Sequence, residues 1–429
     1  MADAGTPQPL TAAEEWKRRW PLVLAAVVGF SFHSVMTSFA GLFIGPIGDE
    51  FDWSRTQVTA GMTLSSIIGT IISPIYGAML DRWGTRRFAI PGLVMKSGVM
   101  AGFGLISASV TQWLIMWVIY SFVSTMVKST VWTTAVTGVF TAGRGLAIGV
   151  VMSGTAFAQA LVPPLGHFLI EMFGWRGAFA WMGIGWGGVA LILCILFLRD
   201  AHDDMRSAHV DPAEQSKARQ ALPGLSIPEA WKSRALWRIA ISTFVMMLFT
   251  LALVVHQIPI LEDAGVARST AAWLAGLAGI AGIAGKLITG KLLGWTRPNI
   301  VGGVTIGGAS LGFALLLEPL RTPAIIVAAM LINGYASGTK LQICAYLTSR
   351  FAGIRNFATI FSVMASLIAL GAGVGPVIGG IVYDWHGDYT PLLIGGIIGS
   401  LLSAWLIFGL ESYPDWEAPG KKVPAMAEG

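Results

Sequence analysis

Five lysines lie inside strongly apolar stretches of this 429-residue chain: Lys96, Lys128, Lys286, Lys291 and Lys340. A charge at the centre of a bilayer costs about 2.5–3.5 kcal/mol on insertion scales, so each lysine needs something that offsets it. No Asp or Glu occupies the middle of any apolar stretch. Asp49, Glu50, Asp81, Glu171, Glu262, Asp263, Glu318 and Asp384 all fall at ends or in connections. Cations without carboxylates suit anion binding, because an incoming anion neutralises them and offsets their desolvation. Lys128 and Lys340 each sit on a polar stripe at helical spacing, Ser121–Thr125–Lys128–Trp132 and Asn333–Ser337–Lys340–Cys344,. Such stripes on membrane helices face a cavity rather than lipid. Lys286 lies slightly off centre and ranks behind these two, whereas Lys96 and Lys291 are expected to snorkel to the headgroups. His33 and His256 add groups that titrate near neutrality. Trp132 either stacks on a solute or fills the core, and the residue types leave both open. ATP-binding motifs, zinc clusters and triad spacings are absent, so the expectation is no enzyme, no cofactor and no metal,.

The elements that must position these residues are membrane helices. The chain is 54% hydrophobic and 12% charged, with mean hydropathy +0.68. That composition belongs to a polytopic membrane protein, not a soluble domain. Twelve spans of about 20 apolar residues are expected. Six lie within residues 21–198 and six within 237–410, joined by a polar linker at 199–236 and flanked by tails at 1–20 and 411–429. With both tails cytoplasmic, 19 of the 28 Lys and Arg residues fall on the cytoplasmic side. External loops then carry four, namely Arg55, Arg176, Arg268 and Arg321, which satisfies the positive-inside rule,. The basic residues thus orient the chain in lipid and do not suggest nucleic-acid binding. The fold class expected is all-α, with twelve transmembrane helices in two pseudo-symmetric six-helix bundles. The symmetry rests on a repeat at an offset of about 212 residues, which pairs Pro46 with Pro259, Arg55 with Arg268, Lys128 with Lys340, and Arg144 with Arg355,. The glycine runs "GLAGIAGIAGK" and "GAGVGPVIGG" lie inside spans and follow no strand, so they read as packing surfaces rather than phosphate cradles,.

One local motif is sharper than the rest. "GAMLDRWGTRR" after the second span closely resembles the conserved loop of the major facilitator superfamily, with Gly77, Asp81, Arg82, Gly84, Arg86 and Arg87 matching. The resemblance implies a charge lock that holds one access state and releases it in the other. "FDWSRTQ", "GRGLAIGVVMSG", "GWRGAF" and "YLTSRFAGIRNFATIFSV" resemble the monocarboxylate and oxalate:formate branch of that superfamily. The branch implies a carrier of small organic anions, with Lys286 at the position of a carboxylate-binding arginine. It also implies that His33 and His256 lie on pore-lining helices. Relatives often carry acidic residues where this chain has Lys340 and Gln342.

The expected function is secondary transport of a mono- or dicarboxylate across the cytoplasmic (inner) membrane. Coupling is expected as proton symport or anion exchange, with symport favoured because histidines are at hand. Substrate ligands are expected among Lys128, Lys340, Lys286, His33, His256, Asn333 and Trp132, and the partners are the anion, protons and lipid. The rival reading is a carrier of an inorganic, phosphorylated or neutral solute in which the lysines are structural.

Overall fold

The computed structural model describes residues 11–137, 139–140, 144–198, 224–353 and 357–411. Every regular element among them is a helix. Each helix satisfies its backbone internally, which is the condition for crossing lipid. The first half of the chain forms α1 (Ala12–Phe51), α2 (Arg55–Trp83), α3 (Thr85–Gly102), α4 (Val110–Thr125), α5 (Ser129–Thr137), α6 (Arg144–Met152), α7 (Gly154–Ala180) and α8 (Gly187–Phe197). The linker supplies α9 (Ile227–Lys232). The second half forms α10 (Arg234–Asp263), α11 (Arg268–Trp295), α12 (Pro298–Ala314), α13 (Pro323–Ala352), α14 (Phe357–His386) and α15 (Thr390–Phe408). Nine stretches of the described residues are long and apolar enough to cross a membrane. One of them, Leu146–Phe197, is 52 residues long and is divided at Gly174, whose φ of 68° is non-helical.

Local sequence explains where the helices start and break. Capping boxes open α1 (Thr11 with Glu14), α2 (Ser54 with Gln57) and α9 (Ser226 with Glu229), each satisfying otherwise orphaned first-turn N–H groups,. Between α2 and α3 the chain turns on Gly84 at φ 85°, a conformation that disfavours any residue with a Cβ,. Two of the expected spans are interrupted. Residues Met126 to Lys128 separate α4 from α5, and Ser153 separates α6 from α7.

Small residues set the closest packing. Gly334 and Gly338 of α13 lie against Ala278 and Gly282 of α11; a Cβ on either glycine would stand 2.2 and 2.1 Å from the Ala278 and Gly282 carbonyl oxygens. This is small-xxx-small packing on both helices, in which absent side chains let two backbones meet. Because the obstruction is backbone, it cannot rotate away. Gly338→Val is therefore expected to destabilise the protein by about 3 kcal/mol or more. The check is thermal unfolding in detergent, where an unchanged midpoint would refute the packing argument.

The two halves of the chain meet through α2 against α14, α7 against α11 and α1 against α10. Thr63 Oγ1 donates to the Gly373 carbonyl at 2.6 Å, and a Cβ on Gly279 would lie 2.4 Å from Ala160 N. Several further hydrogen bonds between the halves cluster at one end of the bundle, the Arg55 end. There Asp384 of α14 accepts from the Arg55 and Thr56 backbone N–H groups at 3.2 and 3.0 Å, and from the Thr56 hydroxyl. Arg55 also lies 3.7 Å from Asp263, and Arg268 of α11 donates to the Leu42 carbonyl of α1.

Candidate functional site

The break between α4 and α5 builds the site. Past Thr125 the backbone tightens into three-residue turns, with Val127 N to Ser124 O at 3.2 Å and Lys128 N to Thr125 O at 3.4 Å,. Lys128 thus projects from an irregular stretch rather than a regular helix face. Its Nζ donates to the Gly69 carbonyl at 2.9 Å and to Ser73 Oγ at 2.7 Å, both on α2. It borders a cavity of about 230 Å³ lined from both halves, including His33, Ser66, Ser121 and Tyr120 on one side and Val255 and Pro376 on the other. Among the described residues, no Asp or Glu lines it. Irregular backbone at membrane depth is tolerated where it borders such a cavity.

Trp132 does not face this cavity. Its indole N–H donates to the Val127 carbonyl freed by the helix break, at 3.0 Å, and its ring lies over Gly29, where a Cβ would be 2.2 Å away. The stripe spacing assumed a continuous helix, and the break turns Trp132 into the core. His33 remains on the cavity wall, stacked on Phe30 with ring centroids 5.9 Å apart, and its buried Nδ1 has no hydrogen-bond partner among the described residues. Behind it lies Lys96, which is 0% exposed and does not snorkel. The Lys96 ammonium donates to the His33 carbonyl and Ser124 Oγ, both at 3.3 Å, and sits 5.0 Å from the centre of the Phe32 ring and 5.2 Å from that of Tyr120. Backbone carbonyl, hydroxyl and ring faces replace the headgroups that were expected to solvate it.

Lys340 and Asn333 lie together in a second, smaller space of about 30 Å³ between the halves, with Gln159, Gln257 and Ser337. That volume corresponds to about two water-sized spheres,. Asn333 Nδ2 is buried without a hydrogen-bond partner among the described residues. The pseudo-symmetric lysines are therefore not brought to one chamber. Lys286 borders neither space. Its Nζ donates to the Met152 carbonyl at 3.1 Å and Thr155 Oγ1 at 3.2 Å, so it ties α11 to the carbonyl end of α6. A cation there is favoured by the helix dipole.

His256 also lies away from the cavity, 0% exposed, with both ring nitrogens engaged: Nδ1 with the Tyr389 hydroxyl at 2.7 Å and Nε2 with the Pro376 carbonyl at 2.8 Å. The family resemblance implied a pore-lining helix for it, but Pro376 and Gly379 of α14 and Tyr389, at the start of α15, cover the ring. In the loop motif, Arg86 donates to the Ile195 and Leu198 carbonyls at 2.9 and 2.8 Å and so caps the end of α8. Gly84 forms the turn and Arg87 is exposed. The side chains of Gly77, Asp81 and Arg82 lie outside the described residues.

The Arg55 cluster was not anticipated. Its one sequence signal was the pairing of Arg55 with Arg268, whereas its acceptors Asp384 and Tyr389 stand more than 300 residues away.

Comparison with known proteins agrees with this architecture. Human monocarboxylate transporter 11 is 25% identical over 432 residues, covering 95% of this chain and 86% of that protein. An MFS-type transporter of Gibberella moniliformis is 24% identical, covering 89% of each. Among solved structures, the E. coli xylose transporter XylE in an inward-open conformation superposes with a TM-score of 0.71 at 13% identity, covering 92% of this chain and 97% of that one. A bacterial homologue of the human lysosomal transporter Spinster, inward-facing and unoccupied, gives 0.65 at 17% identity, covering 94% and 95%. The profile of the Major Facilitator Superfamily matches residues 25–353. An all-helical bundle with interrupted helices around a cavity between its halves, matched by that profile over most of its length, is a multi-pass membrane transporter, and the chain belongs to the Major Facilitator Superfamily.

Proposed function

We propose that this transporter moves a small organic anion, a mono- or dicarboxylate, by alternating access, with residues 21–198 and 237–410 rocking as two bundles about the cavity. The carrying observation is Lys128, an ammonium on the wall of a 230 Å³ cavity that no carboxylate among the described residues lines. A bound carboxylate would neutralise it, and the hydroxyls of Ser66, Ser121 and Tyr120 and the imidazole of His33 supply neutral contacts around the anion,. The name of its human relative, monocarboxylate transporter 11, supports the solute class. In this reading the chain lies in the cytoplasmic membrane with both termini inside. The Arg55 end is then external, and the Gly77–Arg87 turn, with Asp81 in its lock, gates the cytoplasmic end. Coupling is by proton symport or by exchange of anions.

The hydrogen bonds of Lys128 to Gly69 and Ser73 favour one other reading, in which the lysine is structural and the solute neutral. Proteoliposome uptake separates the two. With an imposed inward proton gradient and no internal solute, a labelled monocarboxylate or dicarboxylate is expected to accumulate, whereas phosphate and a neutral sugar are not. Uptake of the carboxylate only after preloading with an anion would make the protein an exchanger. Uptake of the sugar alone would overturn the anion assignment.

A further inference from the structure

At the Arg55 end one histidine is wired into the contacts that join the two halves. A carbonyl can only accept, so the 2.8 Å contact of His256 Nε2 with Pro376 O places a proton on Nε2,. In the neutral ring Nδ1 is then the acceptor, and the Tyr389 hydroxyl donates to it at 2.7 Å,. The same phenol oxygen accepts from Arg55 Nη1. Arg55 in turn lies 3.4 Å from the centre of the Tyr383 ring and 3.7 Å from Asp263. The titratable and charged groups around His256 are therefore Tyr389 at the N-cap of α15, Tyr383 and Asp384 from α14, Arg55 from α2 and Asp263 from its own helix. The ring packs closely on Gly379, where a Cβ would stand 2.5 Å from its Cδ2.

We propose that His256 is a proton-binding site whose occupancy controls closure of the Arg55 end. The chain from Pro376 through His256 and Tyr389 to Arg55 is complete only when the imidazole is neutral. A second proton, on Nδ1, sets two cationic N–H donors against one phenol oxygen. The Tyr389 hydrogen then has no acceptor among the described residues, and at 2% exposure it has little access to water. A buried donor without a partner is costly, and the imidazolium also repels Arg55. Separating α2 from α14 and α15 hydrates the hydroxyl and the imidazolium and removes both penalties. The open end binds more protons than the closed one, so acid favours opening and the closed population falls as pH falls. In an alternating-access cycle the site takes a proton while the Arg55 end is open and loses it when that end seals. The proposal rests on the transport reading but not on the identity of the solute.

The test is a distance across the Arg55 end in the full-length protein, without solute. Spin labels are placed at Met172→Cys and Trp385→Cys, both exposed sites, while native Cys194 and Cys344 are buried. Between about pH 8 and about pH 5 the longer distance is expected to gain population, by up to about tenfold per pH unit for a single linked proton. His256→Gln, whose amide accepts from Tyr389 and donates to Pro376 without titrating, is expected to hold the short distance throughout. A wild-type distance that ignores pH overturns the proposal whether or not His256→Gln folds. So does a response that survives in His256→Gln. The readout contains no solute, so a failed uptake panel leaves it standing, and its failure leaves the panel result intact.

Discussion

Lys128→Ala is expected to reduce carboxylate uptake at least about 30-fold while the protein still inserts and purifies as a monodisperse species. Losing one charge-assisted contact to a desolvated anion costs about 2–5 kcal/mol, and 2 kcal/mol is already about 30-fold. Folding should survive, because the lysine bonds one carbonyl and one hydroxyl, and Ser73 Oγ retains its own 2.6 Å bond to Gly69 O. Counterflow in proteoliposomes measures the loss. Lys340→Ala serves as the comparison, since Lys340 borders the 30 Å³ space and not the 230 Å³ cavity. Should Lys340→Ala abolish uptake while Lys128→Ala leaves it normal, the solute site belongs on the other side of the bundle.

Opening of the Arg55 end is the second large effect. Asp384→Ala removes a carboxylate of α14 that caps the first-turn N–H groups of α2, where the helix dipole also favours negative charge,. The carboxylate is exposed, so the discounted loss is about 1–2 kcal/mol, or roughly a 5- to 30-fold shift toward the open state. The same pair of spin labels at Met172 and Trp385 reads this shift. Asp384→Asn, which keeps one acceptor oxygen, should fall between. If neither substitution moves the distance distribution, the cap does not hold the halves together.

The broken fourth span shows why the solute site was only partly legible. Its residue types announced Lys128 and the hydroxyls of Ser121 and Thr125, and those do lie at the cavity. The stripe also carried Trp132, because a 3.6-residue period was extended through Met126–Lys128, where the helix is interrupted,. Nothing in that segment is a Pro or a Gly, so no local breaker announced the change. Lys96 failed for a related reason. Snorkelling is the default for a lysine facing lipid, and only the packing of α1 and α4 against α3 shows that the ammonium has internal acceptors.

Membrane residence, the helical class and the family were determined by the sequence alone, because apolar spans with Lys and Arg between them, and one conserved turn, are local signals. Cavity membership was decided by tertiary structure. Lys128 and Lys340 are equivalent in the repeat, yet one borders 230 Å³ and the other 30 Å³, since cavity size depends on how the halves meet. His256, Tyr389, Arg55 and Asp384 are scattered over more than 300 residues of chain and become one hydrogen-bonded cluster only when the first half packs on the second. Hydrogen bonds between elements so distant in sequence leave no periodicity to read, because neither partner constrains the spacing of the other.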